Sequence, residues 1–184
     1  MKREIALLLT LNLNLGAIAF ADEPSATPLP EVAPSSSSDA SSRLQDLAWM
    51  VGSWQDESNG TKVEATVDWT EGRNFLTRRF NLRRTDGKQT QGWEVIGWDP
   101  LTQQIRSWIF YSDGGFGDRL WAEEGNRWLI EAVDTLPNGS QSTAQNAITK
   151  VDNDHYTWES GKSSVDGVIL PSAKPITLAR VGKR

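Results

Sequence analysis

From residue 62 onward the chain alternates apolar and polar positions in short runs, the period expected of strands with one buried face. Val63, Ala65, Val67 and Trp69 fall on one side of the first such run, with Glu64, Thr66 and Asp68 on the other. Leu76, Phe80 and Leu82 share a side with Arg78, while Thr77, Arg79, Asn81 and Arg83 take the opposite one. Tyr156 pairs with Trp158 in the same way, and Ile176 with Leu178 and Arg180. The pattern predicts strands over 62–70, 74–84, 89–99, 104–111, 116–123, 127–135, 140–151, 155–161 and 176–181, after a first strand opened by Gly52-Ser53-Trp54. Asn59-Gly60, Glu71-Gly72, Asp86-Gly87, Asp99-Pro100, Asp113-Gly114-Gly115, Glu124-Gly125 and Asn138-Gly139 punctuate them. These residues tolerate positive φ or fix it, so each reads as a turn. No helical period intervenes, so hairpins can join neighbours, and closure would remove the exposed edges. The predicted fold is all-β: an antiparallel up-and-down β-barrel of about 8–10 strands. One short helix precedes it, capped by Ser42 and carrying Leu44, Leu47 and Ala48 on one side.

Two of these strands are apolar on both sides. Trp93 and Val95 oppose Ile96 and Trp98; Ile105, Ile109 and Tyr111 oppose Trp108 and Phe110. Such strands need cover on both faces, supplied either by the helix over 43–50 or by a second copy of the chain.

Composition narrows the chemistry. Nine tryptophans, no cysteine and one histidine nearly exclude thiolate catalysis, His–Cys zinc sites and multi-imidazole sites. The N-terminus reads as a signal peptide over 1–21: Lys2 and Arg3 lead a mostly apolar stretch, and Ala19-Phe20-Ala21 offers a cleavage site before Asp22. The apolar stretch is short for a bilayer span, so the expectation is an exported, periplasmic or secreted protein with no stable membrane insertion. Cleavage moves the net charge from −5 to −6 (17 basic against 23 acidic residues). Residues 22–42 hold four acids, no base and a Ser35–Ser38 run, and read as a disordered linker. The domain over 43–184 is nearly balanced, so neither nucleic acid nor anionic lipid is an expected partner.

The opening Leu47-Ala48-Trp49-Met50-Val51-Gly52-Ser53-Trp54 is similar to that of small calycin (lipocalin-like) barrels, where Gly-x-Trp begins the first strand. Val95-Ile96-Gly97-Trp98-Asp99-Pro100, Arg106-Ser107-Trp108 and Ser112-Asp113-Gly114-Gly115-Phe116-Gly117 resemble a family of exported bacterial lipocalin-like (calycin-type) β-barrel domains, over roughly residues 44–182. In many of its members the barrel follows a nuclear-transport-factor-like domain, in whose place only the 22–42 linker is expected here. The family carries no established chemistry. The resemblance implies barrel closure by stacking of an arginine, Arg180, on the Trp54 ring. Related barrels that hold haem use a histidine, but His155 lies in a turn-like Asp152-Asn153-Asp154-His155 and is a poor iron ligand.

Arg78 is the sharpest candidate for a ligand contact, because its face predicts the lumen and a buried guanidinium needs a carboxylate partner or a ligand anion. Glu94 could be that partner; otherwise Arg78 could anchor the acidic end of a small amphipathic molecule, with Trp98, Trp108 and Tyr111 as apolar walls. The run Asp113–Asp118 lacks the lysine and helix of a phosphate loop. Asp68, Glu71, Glu94, Asp113 and Asp118 could supply paired carboxylates, though no spacing forces two together. Asn59-Gly60-Thr61 and Asn138-Gly139-Ser140 match the glycosylation pattern but read as turns. No metal, cofactor or catalytic group is expected. The reading is a non-enzymatic exported barrel binding a small apolar or amphipathic ligand in its lumen. Its alternatives are a solid interaction or homodimerisation barrel, and a carboxylate-dependent isomerase or hydrolase.

Overall fold

The computed structural model describes residues 37–56 and 61–182; the stretch read as a signal peptide, most of the stretch read as a linker and the expected Asn59-Gly60 turn lie outside them. A helix, α1 (Ser37–Arg43), leads into a 3-10 turn over Gln45–Met50. Eleven strands follow: β1 (Gly52–Asp56), β2 (Lys62–Trp69), β3 (Phe75–Arg83), β4 (Gln89–Asp99), β5 (Gln104–Tyr111), β6 (Phe116–Glu124), β7 (Arg127–Thr135), β8 (Gln141–Lys150), β9 (His155–Val165), β10 (Val168–Ile169) and β11 (Ile176–Arg180). Each of β1 to β8 pairs antiparallel with the next; β9 pairs with both β10 and β11, and β11 returns to β1. Ten strands thus close a barrel, an architecture compatible with lipocalin-like domains, and β10 rides outside the ring on β9.

Two features depart from the periodicity. Ser42 lies within α1 rather than capping a helix, and Leu44 precedes the 3-10 turn without a side-chain cap. The helix also begins at Ser37, inside the stretch whose composition reads as linker. At the other end β9 runs four residues past Gly161 and turns at Asp166-Gly167, both at positive φ, to form β10. That Asp-Gly pair is a two-residue hairpin signal, masked by the short strand after it. Gly161 has its own reason: a Cβ there would meet the Gln145 carbonyl oxygen at 2.6 Å. Gln145 faces two residues of β9, Gly161 and Lys162, in a bulge between the Ala144 and Asn146 pairs, which sharpens the bend where β8 meets β9.

One end of the barrel is solid. Leu44, Leu47 and Met50 are fully buried and pack with Trp54, Val67, Leu76, Ile96, Ile148 and Tyr156. Trp54 meets Tyr156 edge-on at 4.7 Å, and Trp49 closes on both rings. Such contacts add about 0.5–1.5 kcal/mol per pair beyond the area they bury. The Trp54 indole N–H donates to the Met50 carbonyl at 2.7 Å, tying the helical segment to β1.

Arg180, the register partner of Trp54, lies with its guanidinium 4.1 Å from the Trp54 ring. It donates to the carbonyls of Val51 at 2.7 Å, Trp49 at 2.9 Å and Asn153 at 3.0 Å. One side chain therefore joins the N-terminal segment, the β9 approach and the last strand. Gly52 makes this possible, since its φ is +131° and a Cβ would stand 2.5 Å from an Arg180 Nη1.

Gly52→Ala and Arg180→Met are each expected to cost about 2–4 kcal/mol by urea denaturation, through backbone strain and unpartnered carbonyls respectively. Both break the same contact, so the double variant should lose clearly less than the sum.

Candidate functional site

The opposite half of the barrel is hollow. A cavity of about 1030 Å³ opens toward the hairpins that join β3 to β4 and β9 to β11, with Thr85, Asp86 and Lys174 at its mouth. Its walls are inward residues of β2, β3, β8 and β11: Val63, Ala65, Phe80, Ala144, Ile176 and Leu178. The size falls at the upper end of the range for small-molecule pockets.

The floor is polar and built in two stations. In the first, Arg78 on β3 and Glu94 on β4 are register partners facing inward, and the guanidinium reaches the carboxylate at 2.6 Å. Glu94 is fully buried, and its other oxygen accepts from the Ser107 hydroxyl at 2.6 Å. Ser107 in turn accepts from the Trp121 indole N–H at 2.8 Å, so the chain of bonds runs down into the packed half. The Arg78 guanidinium also lies 4.9 Å from the Trp158 ring. The internal carboxylate therefore takes the role of Arg78's counter-ion.

The second station joins β5, β6 and β7. Arg119 Nη2 donates to the Tyr111 hydroxyl at 2.9 Å and to Asp134 at 3.2 Å, and Tyr111 donates to Asp134 at 3.1 Å. Burial lifts the Tyr111 hydroxyl to about 12, and Tyr156, deeper in the wall, likewise to about 12. Both phenols are therefore neutral donors at physiological pH. Burial also raises the Asp134 carboxyl above the ordinary carboxylate range, while Arg119 and Tyr111 pull it partly back. Glu94 pushes it up as well, so the two stations feel each other. Their link is Phe80, whose ring meets both the Arg78 guanidinium and the Tyr111 ring.

Of the four residues expected to contact a ligand, Arg78 and Tyr111 line this cavity and the two others do not. Trp108 is corrected: it shares the outer face of β5 with Phe110 and lies 38% exposed. In an antiparallel strand Ser107 and Ile109 take the inward positions, leaving Trp108 outside. Trp98 does face inward, but at the packed end, where Arg43 stacks on it at 5.0 Å. The helical segment packs into that end and leaves the outer face of β4 and β5 uncovered: Trp93 and Phe110 stack at 6.2 Å and stay exposed.

Arg119 and Asp134 are not evident from periodicity. Phe116 and Leu120 place apolar residues on the outer side of β6, hiding which side is buried. A signal existed in Arg119 lying two residues before Trp121, the spacing that marked Arg78 beside Phe80. Asp134 likewise continues the inward row Trp128, Ile130, Ala132. None of the five acids weighed for paired catalysis lines the cavity: Glu94 is fully buried beneath Arg78, and Asp118 is half-exposed on the outer face with Arg106. His155 lies at the start of β9 with its Nδ1 3.0 Å from an Asp152 oxygen. Among the described residues no cluster of acids and imidazole has metal-binding geometry, and no helix is long and apolar enough to cross a membrane. Compared with known proteins, the sequence matches no family model and no curated relative.

Glu94→Gln should destabilise by about 3–5 kcal/mol in urea, because it strands a buried guanidinium, whereas Arg78→Met/Glu94→Leu should lose less than Glu94→Gln alone. For Asp134, where burial outweighs the Arg119 ion pair, the linkage has the opposite sign from an acid whose pKa a salt bridge lowers. The folded state holds its proton more tightly than the unfolded chain, so the stability it contributes is present below the ordinary carboxylate pKa and lost as pH rises through the raised value. Asp134→Asn should therefore flatten the stability profile in the range just above the ordinary carboxylate pKa.

Proposed function

We propose that the protein is an exported, non-enzymatic carrier that holds one small apolar or amphipathic molecule in the hollow half of its barrel. The observation that carries this reading is the division of the lumen: one end is packed with rings, and the other is a cavity of about 1030 Å³ with apolar walls and a polar floor. A barrel whose sole task was self-support could fill that volume with side chains, because each void forfeits packing energy. The two guanidinium stations favour a molecule with an apolar body and one polar end over a hydrocarbon. A catalytic reading has less support, since Asp134 on the floor and Glu94 buried beneath it are each occupied by an arginine and both phenols are held neutral.

The exported location rests on the signal-like N-terminus, and the assignment to the family of exported lipocalin-like domains on the Gly52-Ser53-Trp54 and Gly97-Trp98-Asp99-Pro100 motifs. A second reading, homodimerisation, is favoured by the exposed outer row of Trp93, Phe110 and Phe116.

Trp158 lines the cavity, so a bound molecule should shift the intrinsic fluorescence, and native mass spectrometry of freshly purified protein should reveal a co-purified species of one copy per barrel. An empty barrel that does not respond to lipid or metabolite extract would remove the carrier reading. Sedimentation tests the dimer: a dimer that dissociates in Trp93→Ser/Phe110→Ser supports it, and a monomer at all concentrations ends it.

A further inference from the structure

Resting on the carrier reading, we propose that Arg119 and Arg78 together form an oxyanion site on the cavity floor, and that the ligand's anionic head enters there with uptake of one proton by Asp134.

The site is built before any ligand arrives. Both arginine side chains are more than nine-tenths buried, and each keeps one N–H group without a hydrogen-bond partner: Nε of Arg78 and Nη1 of Arg119. A buried guanidinium N–H left unpaired costs free energy, and these two belong to residues that wall one cavity. Guanidinium donors match the oxygens of a carboxylate, sulfonate or phosphate head. Phe80, between the stations, offers apolar surface to the first carbons of the tail.

Charge balance then fixes the proton. The groups that face this floor are Arg78 from β3, Tyr111 from β5, Arg119 from β6, Asp134 from β7 and Tyr156 from β9, with Glu94 from β4 buried beneath Arg78; Arg84, Asp86 and Lys174 stand at the mouth. With both acids ionised, the two arginines are already neutralised. An added anion would leave one buried negative charge uncompensated, which is costly. Glu94 is fixed by Ser107 and Arg78 and is fully buried, whereas Asp134 is the more accessible acid and competes with the ligand for the same guanidinium. A proton from solvent on Asp134 restores neutrality: the anion takes Arg119, and the Asp134 carboxyl becomes a neutral O–H. Burial already biases this carboxyl toward its protonated form.

The test uses the full chain and two probes of equal tail, decane-1-sulfonate and 1-decanol, titrated calorimetrically from about pH 7.5 to pH 5.5, where the sulfonate does not titrate. Sulfonate affinity should rise as pH falls, by at most about tenfold per pH unit for one proton, while decanol affinity stays level. Asp134→Asn should bind sulfonate at about pH 7.5 at least as tightly as the unaltered chain does at about pH 5.5, with no remaining slope. A merely structural acid would instead weaken binding when removed. Tyr111→Phe, which takes away a donor to Asp134, should move the slope to higher pH. Arg119→Gln should lower the sulfonate-to-decanol preference by about tenfold or more. A flat sulfonate profile, or weaker sulfonate binding by a folded Asp134→Asn, overturns the site. Decanol binding without sulfonate preference overturns the site and leaves the carrier reading standing, whereas binding of neither probe overturns both.

Discussion

A single buried contact, Arg78 against Glu94, separates the packed half of this barrel from the hollow one. It sits on neighbouring strands in direct register, so the sheet itself brings the two groups together. Its cost is high, because two ions leave water, and the gain depends on geometry and on the remaining bonds. Those bonds come from below: Ser107 donates to Glu94, and Trp121 donates to Ser107. The indole thereby couples the charge pair to the apolar core, and Arg78 lines the cavity above with one buried N–H unspent. Replacing the pair with apolar side chains would be compatible with a barrel but would erase the boundary between floor and core.

Closure of the ring follows a second logic. The ring closes at β11–β1, where the last strand meets the first, whereas β8 and β9 join through a short hairpin. In that hairpin Gly161 and Lys162 oppose the single residue Gln145, and Gly161 has no Cβ to collide with its carbonyl. At the closure, Arg180 spans three backbone segments and stacks on Trp54. A pairing of such distant strands carries loop-closure entropy, and the Arg180 contacts offset part of it where the chain returns.

The fold was largely legible because its determinants are local. Alternation in Val63–Trp69 and Leu76–Leu82 dictates which side is buried, and Asp86-Gly87 or Asn138-Gly139 dictates where the chain reverses. The site was legible only in part, for a physical reason. Arg78 is flanked by Leu76 and Phe80, so its inward direction is written in its own strand. Arg119 and Asp134 sit on strands with apolar residues on both sides, and their partnership depends on register across β5, β6 and β7. Trp108 was misplaced for the same cause: a bulky ring on a two-sided strand carries no local mark of direction, and only the neighbours Ser107 and Ile109 decide it. Size alone argued for the interior, yet aromatic outer faces are common where a surface is destined for contact.

Among the described residues, closing the sheet removes nearly every free row of backbone donors and acceptors, with β10 as an exception. Val168 and Ile169 extend past the ring on β9 alone, and both side chains are largely exposed. An open β-edge invites another polypeptide to dock by main-chain pairing, the route to fibrils and swapped assemblies. At two residues the offered edge is too brief to fix a register, so its shortness acts as a built-in guard against polymerisation.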